Sequence, residues 1–179
     1  MPDKADSGER RSLDKTVGHM AHLLKPGDGD GDHRINNGDV ASLRRLDPSD
    51  PFSPAVWKVL SIVLDDEEAQ RMSEERERRW AVIIGAMAQG PPHAYGMPLG
   101  TSLAAHNWSE VRLVRLLEAR GQQLFDHVRR MAQYLRSKGA TANYGDLARL
   151  ILFQEGDAAT GIRHRIAKHY YRQLHRQSN

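Results

Sequence analysis

The 179-residue chain contains no cysteine. That excludes a disulfide framework, a thiolate metal site and a cysteine nucleophile, and it fits a reducing compartment. No apolar run approaches the ~20 residues of a membrane-spanning helix. The first residues, among them Asp3, Lys4, Asp6 and Glu9, hold no apolar signal core. The expectation is a cytoplasmic protein with no membrane partner. Aromatic residues make up only 6% of the sequence and hydrophobic residues 39%, so the core must be aliphatic and modest. β-Branched runs are few, whereas Arg, Ala and Leu are plentiful, which favours helices. The length suits one domain of ordinary size or two small ones.

Acidic residues are scarce in the second half. Residues 96–179 carry 13 Lys and Arg against 6 Asp and Glu, a net +7; residues 1–95 carry 13 against 17, a net −4. The formal net charge of +3 hides this split. Such asymmetry favours a polyanionic partner for one part of the molecule. Solvated basic faces on ordinary helices are the alternative.

The periodicity predicts helices throughout. Leu13, Val17, Met20 and Leu24 recur at spacings of three and four, so a helix near 10–25 buries one stripe, and Pro26-Gly27 ends it. Asp39 can cap a short helix with Val40, Leu43 and Leu46. Ser53-Pro54 is a helix start, Ser as cap and Pro at the first position. A charged helix near 66–88 turns apolar all round from Trp80 to Met87, the pattern of a buried segment. Gly90-Pro91-Pro92 through Gly96 and Pro98 reads as a linker. Beyond it, Leu99 opens a short helix and Ser109 caps the next, which shows Val111, Val114 and Leu117 on one side and Arg112 and Arg115 on another. Gly121 interrupts. Leu124, Val128, Met131 and Leu135 form a helix stopped by Gly139. Asn143 caps another, and a final helix near 157–176 places Ile162, Ile166, Tyr170 and Leu174 four apart. The expected fold is all-α: a disordered start at 1–9, an N-terminal helical lobe at 10–90 and a basic helical lobe at 91–179, joined by the Gly/Pro-rich stretch.

One loop invites a calcium reading. Asp28, Asp30 and Asp32 stand at positions 1, 3 and 5 of a twelve-residue loop, with Ile35 at position 8 and Asp39 at position 12. Calcium needs such an array of hard oxygens. Position 6 wants glycine for a sharp turn, yet His33 stands there. A calcium-dependent helical interaction module is the alternative function, and a flexible acidic loop the plainer reading. Signatures of catalysis are missing. There is no phosphate-cradling glycine loop ending in Lys-Ser or Lys-Thr, no zinc-protease helix and no Gly-x-Ser-x-Gly elbow. His19 and His22 share a helix face but have no third ligand in sequence. The run Asp65–Glu68 opens a helix, where acidic groups offset the dipole. The expectation is a protein that is not an enzyme, with no cofactor and no metal.

The strongest chemistry follows residue 108. Arg112 and Arg115 are three apart and share one helix face, near a helix start that also favours anions. Arg129, Arg130 and Arg136 follow, then Arg163, Arg165, Lys168, Arg172 and Arg176 on the last helix. Arginine's planar fork grips phosphate oxygens in two places and stays charged. Without an aromatic sheet platform or a recognition helix carrying Asn or Gln, binding should be directed at the backbone and sequence-tolerant.

The stretch Leu99-Gly100, Leu103-Ala104, then Ser109-Glu110-x-Arg112-x-x-Arg115-Leu116-Leu117 resembles the CRISPR-associated CasB family, the small subunit of the type I-E Cascade surveillance complex. The resemblance extends to Gly38-Asp39-x-Ala41-x-Leu43-Arg44-Arg45, to Leu124–Leu135, to Tyr144-Gly145-Asp146-Leu147-Ala148 and to the basic helix with Tyr170-Tyr171, and covers roughly 10–175. It implies two helical lobes without catalytic activity and a dimer within the complex. The implied partners are the guide RNA, the target DNA and the displaced strand, together with the backbone and large subunits. Arg44, Arg45, Arg112 and Arg115 match basic family positions, and Arg163, Arg165 and Lys168 match the basic C-terminal helix. Opening a duplex against a guide is nearly balanced in free energy, so a few backbone contacts can tip it. Neutralising about four phosphates would give a log–log salt slope near −3.6.

Overall fold

The computed structural model describes residues 4–25, 35–47, 49–50 and 52–178, with side chains from residue 13 onward. Helices account for the architecture: α1 (Lys4–Leu23), α2 (Asn37–Arg44), α3 (Pro54–Val63), α4 (Asp66–Arg71), α5 (Glu74–Gln89), α6 (Leu99–Ala105), α7 (Glu110–Glu118), α8 (Gly121–Ser137), α9 (Tyr144–Leu152) and α10 (Gly156–Gln177). Among the described residues no strand forms, and no helix is long and apolar enough to cross a membrane.

Side-chain caps mark the starts of α2, α3, α4, α5 and α9, whereas Ser109 stands at the N-cap position of α7 without a side-chain capping bond. The Ser53 side chain accepts from Val56 N with Pro54 at the first helical position, and Asn143 accepts from Gly145 N. α8 ends as read, with Gly139 at φ +65° just beyond its cap. Three boundaries differ from expectation. α1 starts at Lys4, ahead of its apolar stripe, so the segment expected to lack structure is helical from that residue; Lys, Ala, Glu and Arg extend a helix by propensity alone. Asn36, not Asp39, is the N-cap of α2. Asp39 instead closes a capping box, its carboxylate accepting from Asn36 N at 3.1 Å while Asn36 Oδ1 accepts from Asp39 N at 2.9 Å. The single charged helix expected near 66–88 is two helices, because Ser73 caps α5 by accepting from Arg76 N.

α5 is the central element. Every residue from Trp80 to Gln89 is buried, because α2, α8 and α9 all pack against this helix. Burying Ile83 or Ile84 completely contributes about 1.5–3 kcal/mol each. One apolar cluster runs from Val17 to Tyr170 through both halves of the chain. The Gly/Pro-rich stretch between the halves is tied into the fold. Ala94 N donates to Ala142 O (3.0 Å), Ala142 N to Pro92 O (3.2 Å), Asn143 N to Met97 O (2.8 Å) and Tyr144 Oη to Pro91 O (3.0 Å). α10 packs most extensively on α6. Gly100 permits this, since a methyl group there would run into the Ile166 carbonyl and Tyr170 N.

Candidate nucleic-acid interface

α7 buries Leu113 and Leu116. Val111, Val114, Arg112 and Arg115 all stay exposed, so the inward face is not the valine face that the spacing suggested. Among the described residues no carboxylate pairs with Arg112. Its Cζ lies 5.3 Å from the centre of the Trp108 ring and 5.9 Å from that of Tyr134. Lys138 Nζ lies 5.4 Å from the same Tyr134 ring. Trp108 is buried and meets Tyr134 edge-on at 5.0 Å, while Tyr134 Oη donates to His106 O at 2.7 Å. The two rings form a rigid shelf that positions two cations by their π faces. Such contacts leave the N–H edges of the guanidinium available to an anion. Arg115 has no ion-pair partner among the described residues.

A second basic patch adjoins the first through one bond. Tyr171 Oη donates to Glu110 Oε1 at 2.6 Å, tying α10 to the start of α7, and this bond pushes the Tyr171 phenol above its ordinary pKa. Lys168, Arg172 and Arg176 surround Tyr171 in a shallow depression on α10. A third patch lies at the end of α5. Arg44 Nε and Arg136 Nη1 both donate to Ala88 O, at 3.2 and 3.4 Å, where the carbonyls of a helix C-terminus favour cations. Arg45 is exposed beside it. The C-terminal end of α8 links the first and third patches, because Tyr134 and Arg136 lie in its last turn and Lys138 is its C-cap.

Arg163 and Arg165 are engaged within the fold. Arg163 Nη2 donates to Gln154 O at 2.9 Å, and burial, then the nearby Arg120 charge, lowers the guanidinium's pKa. Arg165 pairs at 3.0 Å with Asp146, whose side chain is only 8% exposed, and Asp146 also accepts from Leu99 N. Both arginines brace α10. The aromatic shelf under Arg112 escaped the sequence reading, which looked for aromatics on a sheet. Its only signal was Trp108, one residue before a helix cap.

Of the residues in the calcium reading, Asp39 is engaged within the fold. Asp39 makes an ion pair with Lys58 at 2.9 Å, and that hydrogen bond holds its carboxyl below the usual range. Asp28, Asp30, Asp32 and His33 lie outside the described residues. Among the described residues no cluster of three His, Cys, Asp or Glu could hold a metal.

Fold and surface together define a small all-helical protein with cations displayed on aromatic and helix-end supports. The chain belongs to the CRISPR-associated protein Cse2 family, the CasB family of type I-E, whose profile matches residues 39–171. It is also similar in fold to a chain in the structure of E. coli Cascade bound to a PAM-containing dsDNA target with a 32-nt spacer. The TM-score is 0.64 at 15% identity, over 88% of this chain and 95% of that one. No curated protein matches the sequence.

Proposed function

We propose that this chain is the small subunit of a type I-E Cascade complex and that it stabilises the R-loop in antiviral defence without performing catalysis. It contacts phosphates of the guide RNA–target DNA hybrid or of the displaced strand, beside the backbone and large subunits and a second copy of itself. The observation that carries this reading is Arg112, held over Trp108 and Tyr134 beside Lys138 with no carboxylate among the described residues paired to it. Arg44, Arg45, Arg115 and Lys168 extend the phosphate-binding surface, while Arg163 and Arg165 act from inside by fixing α10. Contacts of this kind position a nucleic acid without reading its bases, which suits a complex whose specificity resides in the guide. Affinity purification of the tagged chain from its native cells tests the assembly. The expected result is a large complex carrying a short guide RNA. Recovery of the chain alone, without RNA, contradicts the reading.

A further inference from the structure

A groove of about 550 Å³ opens between the C-terminal ends of α1, α2, α5 and α8 and the 90–95 stretch. That volume falls within the roughly 300–1,000 Å³ common for small-ligand sites. Lys25, Arg44 and Arg136 line it, and none of the described lining residues is a carboxylate. Arg44 and Arg136 each make one bond to Ala88 O, which fixes the two guanidinium groups side by side and leaves further N–H donors. An aromatic ring lines the same groove. Tyr95 is 58% exposed, yet its hydroxyl donates to Asp14 O at 3.2 Å and its ring meets His93 edge-on at 4.4 Å. A large ring that is exposed and also held in place is a preorganised stacking face. Met87 and Leu24 add apolar lining.

We propose that this groove holds one nucleotide unit of a single-stranded nucleic acid, with the phosphate on Arg44 and Arg136 and the base against Tyr95. The inference rests on the nucleic-acid reading above and adds a base-stacking pocket to a surface otherwise described by phosphate contacts. A bare anion would use only the cationic groups. An acidic peptide would leave the aromatic ring without a flat partner. A nucleotide satisfies both. Because every base has a π face, the pocket is tolerant of sequence.

Fluorescence anisotropy on the full chain tests this, with a labelled oligothymidine strand and a matched strand of abasic sugar-phosphates. Tyr95→Ala should weaken oligothymidine binding about tenfold, the scale of one base stacked on one ring. Tyr95→Phe keeps the ring and its contact with His93 but loses the bond to Asp14 O, and should lose much less than tenfold in affinity. All three proteins should bind the abasic strand equally. An unchanged affinity in Tyr95→Ala, or an equal loss on the abasic strand, would overturn the proposal. Competition by micromolar thymidine monophosphate would also overturn it, by assigning the groove to a free nucleotide. A strand whose binding depends on Arg112 and Arg115 but not on Tyr95 removes the pocket alone. Failure of the parent chain to bind any strand at low salt removes the pocket and the nucleic-acid reading together.

Discussion

His93 shows how a single residue ties the two halves of the chain together. Its Nδ1 accepts a hydrogen bond from Tyr144 N at 3.2 Å, so the ring must be neutral with its proton on Nε2, and Nε2 is buried without a hydrogen-bond partner. Burial lowers its pKa below the ordinary 6.5, outweighing the Ala142 carbonyl and the Asp14 charge, which pull the other way. In the unfolded chain the same imidazole binds a proton near 6.5. Below that pH the unfolded state holds more protons, so stability falls as pH drops and is fully present above about 6.5. Unfolding free energy measured from pH 5 to 7 should rise with pH more steeply in the parent chain than in His93→Gln. The difference in slope should be at most about 1.4 kcal/mol per pH unit. Parallel profiles would show that His93 is not held neutral. Arginine follows the same logic of partners: Arg165 answers a buried carboxylate, whereas Arg112 lies over aromatic rings. Removing Arg165 therefore damages the fold, and removing Arg112 exposes a role in binding.

At the scale of elements, the contact between α6 and α10 depends on Gly100. Gly100→Ala should lower stability by about 1–3 kcal/mol, the usual cost of overpacking. Gly161 is the matched control. It sits inside α10 with nothing near the position of a methyl group, so Gly161→Ala should gain up to about 1 kcal/mol. Urea melts of the two variants check both; an equal effect of the same sign would contradict the packing described here. Helices with strong apolar stripes and caps were legible from sequence: α3, α8, α9 and α10 fall close to where Ser53-Pro54, Gly139, Asn143 and the four-residue spacing put them. The misreadings had physical causes. Leu113 and Leu116 compete with Val111 and Val114 for the inward face of α7, and only the position of α8 decides between them. Ser73 is an inconspicuous cap inside a run of charges, so α4 and α5 read as one helix. The pairing of Asp146 with Arg165 joins residues far apart in sequence and left no local trace.

For the whole molecule, the charge split in the sequence becomes a surface on which several cations lack acidic partners among the described residues. Arg112, Lys138 and Lys168 lie around the junction of α7, α8 and α10, and Arg44 and Arg136 lie at the other side of the last turn of α8. The arginines were legible as candidates because their spacing put them off the apolar stripes. Which of them serve the fold was not legible, since that depends on buried carbonyls and carboxylates from other helices. Phosphate binding through exposed guanidinium groups carries a salt signature that structural arginines do not. The decisive measurement is affinity for a guide RNA–DNA hybrid across a range of salt, for the parent chain and for the Arg112→Ala/Arg115→Ala double variant. The account predicts that the variant's log–log slope is shallower than the parent's by about 1.8, two phosphate contacts' worth, with both proteins still folded. Superimposable salt curves for the two folded proteins would contradict it.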